Sequence, residues 1–221
     1  MFSLRINRIK ISEPHENSNY FVFGSDLTQL KLISFITTEN SNLPDMSSFM
    51  QTTDFNQKKA LLQEAIETVV SSRIYTEIDN VKDFHSLTFG SPGYVIYKSN
   101  KIPDDLDWQF FAYENGQGIK EGAQMVENIL NDKGFDNFTS NLSDIISKAS
   151  NPSHSAAVSI ARYAISVTNK IAKLNHNDLI GISSASLNRH QDYCYGGRKK
   201  DRISDLSNNM FIDYSIFGYD E

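Results

Sequence analysis

Period-two alternation stands at both ends of the chain, with Phe2, Leu4 and Ile6 near the start and Met210, Ile212, Tyr214 and Ile216 near the end. Between Gly118 and Leu174 the apolar residues recur three and four apart instead. Alternate side chains on a strand share a face, whereas a helix returns to one face every three or four residues, so two strand-rich ends must fold around a helical middle. Further strand-like runs, Leu30 to Thr37, Tyr94 to Tyr97, Trp108 to Tyr113 and Asp178 to Leu187, come in clusters rather than alternating with helices. That order does not suit a doubly wound parallel sheet. The predicted fold class is α+β: a mainly antiparallel β-sheet or β-sandwich with inserted helices packed on one face or end.

With 221 residues, 39% of them hydrophobic and 22% charged, the chain has the length and apolar content to bury its own core. One domain over 1–221 is expected, β-rich over 1–113 and 178–221, with a helical insertion over 118–174.

Local signals sharpen this outline. The alternation of the first strand slips between Ile6 and Ile9, which predicts a bulge near Asn7 and Arg8. Tyr20 to Phe23 reads as a second strand. Gly90-Ser91-Pro92-Gly93 between two β-rich runs predicts a hairpin loop. Asp54 followed by Gln57 resembles a capping box opening a helix whose inner face is Leu62, Ala65, Ile66 and Val69. Ile119, Ala123, Val126 and Leu130 form a stripe that Gly134 is expected to close, and Phe138, Leu142, Ile145 and Ala149 form the next. Asn151-Pro152 then opens the longest helix, with Ala157, Ile160, Ala164, Val167, Ile171 and Leu174 on its buried side.

The candidate chemistry is sparse. His190, Asp192 and Cys194 sit together, and an imidazole beside a thiol is the pairing that generates a nucleophilic thiolate. On an extended strand, positions 190 and 194 would lie about 13 Å apart, beyond hydrogen-bonding reach, so this set is a weak catalytic candidate. Arg198, Lys199 and Lys200 follow a double glycine and are the binding candidates, a basic tip for an anion or acidic partner. They lead into a strand, not into the helix N-terminus of a phosphate loop. Asp104, Asp105 and Asp107 gather carboxylates on a turn, as calcium prefers, but without EF-hand spacing; Asp26 or Asp205 would have to join them. The five histidines are scattered, and no zinc pattern appears.

The net charge of −6 argues against general nucleic-acid binding, which depends on cations that displace counterions from phosphate. The amino-terminal stretch lacks the continuous apolar core of a signal peptide, and no apolar run is long enough to span a bilayer, so a cytoplasmic protein is expected. With no convergent catalytic pattern and no cofactor motif, the leading expectation is a non-enzymatic protein-interaction or assembly module, binding another protein or its own copies through aromatic-rich strands. A membrane-acting effector using the amphipathic segments between Gly118 and Leu174 is the alternative, with a hydrolase or transferase of dispersed active site behind it.

Overall fold

The computed structural model describes residues 1–11, 28–81, 86–114, 122–174, 179–193, 197–204 and 209–218. In chain order the described elements are β1 (Phe2–Ile11), β2 (Thr28–Thr38), α1 (Ser47–Gln51), α2 (Phe55–Ser71), β3 (Ile74–Val81), β4 (Ser86–Thr88), β5 (Tyr94–Ser99), β6 (Asp105–Glu114), α3 (Gly122–Leu130), α4 (Phe135–Ser147), α5 (Pro152–Leu174), β7 (Leu179–Asn188), α6 (Arg189–Asp192), β8 (Gly197–Ser204) and β9 (Met210–Gly218). The expected strand at Tyr20 to Phe23 lies outside the described residues.

Two antiparallel sheets form. The first has the order β4-β1-β9-β8 with β5 also on β1, and the second has the order β3-β2-β6-β7. One core fills the space between them, with Phe2, Leu4, Ile6, Ile9, Met210, Ile212 and Ile216 from the first sheet meeting Leu32, Leu106, Trp108 and Phe110 from the second. A second core lies between the other face of that second sheet and the helices, where Ile33, Phe35 and Phe111 meet Leu62, Ile66, Leu142, Ile160 and Ala164. The result is three layers, sheet on sheet on helices, which is the α+β layout the residue periods predicted.

Strands β2 and β6 are buried on both faces. On β6, Leu106, Trp108, Phe110 and Ala112 enter the inter-sheet core while Phe111 and Tyr113 enter the helical one. The aromatic-rich runs that suggested an interaction surface are therefore mostly interior: Trp108 and Tyr214 meet edge-to-face at 5.5 Å between the sheets. At full burial each such ring contributes about 1.5–3 kcal/mol, ample reason for its presence without a partner.

The register of β1 against β9 shifts between Ile6 and Arg8. This is the predicted bulge, and it restores the inward parity for Ile9 and Ile11 while Arg8 turns out to pair with Asp213 at 2.6 Å.

The expected hairpin at Gly90–Gly93 is not one. Strands β4 and β5 both pair with β1, at Arg8↔Thr88 and Ile6↔Tyr94, so they are two pieces of one edge interrupted by a loop. Gly90 (φ 70) and Gly93 (φ 67) are both left-handed, and their two turns return the chain to its original direction.

Asp54 caps α2 as expected, accepting from the amides of Asn56 and Gln57, but the Gln57 side chain accepts from Thr52 Oγ instead of reaching back to Asp54. Asn151 caps α5 through the His154 amide at 3.1 Å. Gly134 does not close α3; it is the N-cap of α4, at φ −86, where no left-handed residue is needed. Starting at Phe135, α4 buries Phe135, Thr139, Leu142 and Ile146 and leaves Ile145 47% exposed, a rotation of the expected stripe. Strands β3 and β8 and helices α1 and α6 were not foreseen. The Ile-Tyr-Thr-Glu-Ile opening of β3 carries a β-branched signal, but it is too short to stand out beside the helix before it.

Candidate functional site

The open ends of β2, β6 and β7 collect most of the chain's candidate chemistry. Asp105 and Asp107 lie on β6 and not on a turn, and antiparallel pairing sets Asp105 opposite Asn188 and Asp107 opposite Ser186, which carries the Asp104–Asp107 and His190–Asp192 segments to the same end of the second sheet. Two stretches that looked unrelated in sequence become neighbours.

Each aspartate is engaged by a protein donor. Asp104 Oδ1 lies 3.6 Å from the Arg189 guanidinium, and Asp105 Oδ1 accepts from Asn188 Nδ2 at 2.7 Å. Asp107, nearly buried, accepts from His154 Nε2 at 2.8 Å on Oδ2 and from the Ser186 hydroxyl on Oδ1. Glu39 accepts from the amides of Asp104 and Asp105. Among the described residues, no three His, Cys, Asp or Glu side chains are grouped to hold a metal ion. Pairing across the strands and with α5 divides the three carboxylates Asp104, Asp105 and Asp107 among different donors. Asp26 and Asp205 lie outside the described residues.

Burial alone would raise the Asp107 pKa, but hydrogen bonds from His154 and Ser186 and the positive charges of His154 and Arg162 hold it below the ordinary carboxylate value. The hydrogen bond to Asp107 raises the His154 pKa against the effect of desolvation, with Asp107, Asp105 and Glu39 adding their fields. Chemically the order is serine–aspartate–histidine with the carboxylate in the middle. A hydrolytic triad needs the imidazole between serine and carboxylate to accept the serine proton, and here nothing links His154 to Ser186 directly. The arrangement is a clamp from the first turn of α5 to β6 and β7.

His190 is exposed, and its amide is capped by Asn188 Oδ1 at 2.9 Å. Asp192 Oδ2 accepts from the Asn188 amide at 2.8 Å. Both residues thus shape the turn around α6, while Cys194 lies outside the described residues. Arg198, Lys199 and Lys200 fall within β8, an edge strand paired with β9 at Ile216, Ser215 and Tyr214, and not on a hairpin tip. Lys200 is exposed; the side chains of Arg198 and Lys199 lie outside the described set.

At the opposite end of the second sheet, Tyr75 donates to Glu77 at 2.5 Å beside the buried Tyr113. Burial is the main cause that pushes both phenol pKa values up.

A different feature has the shape of a binding surface. Helices α2 and α3 flank an open groove of about 570 Å³ lined by Gln63, Glu67, Val70 and Ser71 on one side and Gly122, Ala123, Val126, Glu127, Leu130 and Asn131 on the other. Its floor is apolar and its rim carries two carboxylates. The sequence offered only half of this: Ala123, Val126 and Leu130 belonged to a stripe expected to face the core, but α3 buries Met125 and Ile129 instead, which leaves Ala123 exposed and Val126 and Leu130 partly so. The chain matches no protein-family model, and the curated proteins contain no match to it either.

Among the described residues no helix is long and apolar enough to cross a membrane. The apolar faces of α3, α4 and α5 are docked in the helical core, where Ile129, Leu142 and Ile160 are at most 1% exposed. A lipid-facing role for these helices would first require undocking them.

Proposed function

We propose that the protein is a non-enzymatic interaction module and that its docking surface is the groove between α2 and α3. The groove carries this reading. Concave surfaces with an apolar floor and a few polar groups at the edge are where partners are held, since burial there yields affinity and the polar rim sets orientation. The polar cluster at the end of β6 and β7, by contrast, lacks the order that proton transfer from serine requires.

The discriminating experiment compares full-length wild type with Ala123→Tyr as immobilised baits in native lysate. Ala123 is exposed and lines the groove, so tyrosine there fills it without entering the core. A partner held by the wild type and lost by the variant supports the reading. Recovery of the same proteins by both baits, or of none by the wild type, overturns it.

A further inference from the structure

We propose that the groove takes an amphipathic helical segment of a partner protein that presents a lysine or arginine to Glu67 and Glu127; this rests on the interaction-module reading above. Both walls are helices, whose backbone groups bond internally, so the groove offers no strand edge for an extended peptide to extend. Recognition must come from side chains. The walls run from Gln63 to Ser71 and from Gly122 to Asn131, which at about 1.5 Å per residue is about 12–14 Å, or a little over two helical turns. Val70, Val126 and Leu130 offer the apolar floor that residues spaced three and four apart on one helix face would cover. At the mouth Ala123 is small and exposed, while the Arg73 guanidinium packs against Gly122 and closes that end to a second backbone.

Charge decides what kind of helix fits. No lysine, arginine or histidine is among the lining residues, whereas each wall contributes one glutamate. Each carboxylate is only half engaged: Gln63 Nε2 donates to Glu67 Oε1 at 3.0 Å and Gln124 Nε2 donates to Glu127 Oε2 at 3.2 Å. Among the described residues no donor is seen on Glu67 Oε2 or Glu127 Oε1, so each has lone pairs facing solvent that an ammonium or guanidinium can take. The chain's net charge of −6 favours approach of a cationic segment from a distance and disfavours a second copy of itself.

The test uses the full chain and labelled amphipathic peptides of leucine and alanine that differ only in having lysine or glutamate along one edge, read by fluorescence anisotropy. Wild type should bind the lysine peptide, with affinity falling about tenfold in the double variant Glu67→Lys, Glu127→Lys, and the glutamate peptide should bind that variant instead. Both positions are exposed, and circular dichroism of the variant is the control for folding. Equal binding of the two peptides to wild type, abolished by Ala123→Tyr, overturns the charge assignment and leaves the interaction reading standing. Binding that survives Ala123→Tyr, or no binding of either peptide, overturns the groove as the docking site. Self-association of the wild type that Ala123→Tyr abolishes overturns the cationic partner in favour of a second copy.

Discussion

His154 Nε2 lies 2.8 Å from Asp107 Oδ2, tying the first turn of α5 to the start of β6 across a sequence separation of 47 residues. Because the fold raises the His154 pKa, the stability contributed by this histidine is complete below its ordinary value of 6.5 and is lost as pH rises through the raised one. Asp107 is lowered, so its contribution is complete above 3.8 and is lost as pH falls through the lowered value. The pair therefore contributes fully between about pH 3.8 and 6.5, with Asp105, Glu39 and Arg162 as the other charges acting on it. His154→Ala should lose about 1–3 kcal/mol inside that window and progressively less at alkaline pH. Urea midpoints measured across pH check this, and a deficit that grows with pH would contradict it.

The loop between β4 and β5 rests on its two left-handed glycines. A methyl group on Gly93 would meet Asn7 Oδ1 at 2.9 Å and the Ile6 carbonyl at 3.1 Å, whereas on Gly90 the nearest atom is 3.6 Å away. Gly90→Ala should cost about 1–2 kcal/mol for the backbone conformation alone. Gly93→Ala should cost more, because steric strain against β1 adds to the same term. Chemical denaturation of the two variants ranks them; equal losses would refute the steric part.

The rotation of α4 gives a pair of neighbouring isoleucines opposite fates. Ile146 is fully buried and Ile145 is 47% exposed. Ile146→Ala should destabilise by about 2–5 kcal/mol and Ile145→Ala by about 0.5 kcal/mol or less. The reverse ranking in a thermal melt would mean that the stripe read from sequence is the true inner face.

The cap of α2 carries two amide bonds on one carboxylate, at 2.8 and 3.1 Å. Asp54→Ala should cost about 0.5–2 kcal/mol, and Asp54→Ser should recover most of it. Failure of serine to rescue would place the effect on the acidic charge and not on capping.

What the sequence determined by itself was a set of features that depend on a residue and its near neighbours, although the Gly134 cap and the α4 stripe, equally local, were misplaced. Alternation at Phe2, Leu4 and Ile6 and at Met210 to Ile216 identified strands, the slip at Asn7 identified the bulge, and Asn151-Pro152 marked the start of α5, because strand faces and caps are set within a few residues. The α+β class followed from the order of those periods. Tertiary structure decided which strands share an edge, which is why two runs flanking a turn of glycines became consecutive pieces along β1 instead of a hairpin. It also decided the company of each polar residue: Asp107 meets Ser186 and His154 only because β6 pairs with β7 and α5 packs across them, at sequence separations of 79 and 47. The groove belongs to the same class, since Val70 and Val126 line one surface only after α2 and α3 have docked on a common core; the local pattern marked Leu62, Ala65, Ile66 and Val69 as the inner face of α2 but not which element would stand beside it.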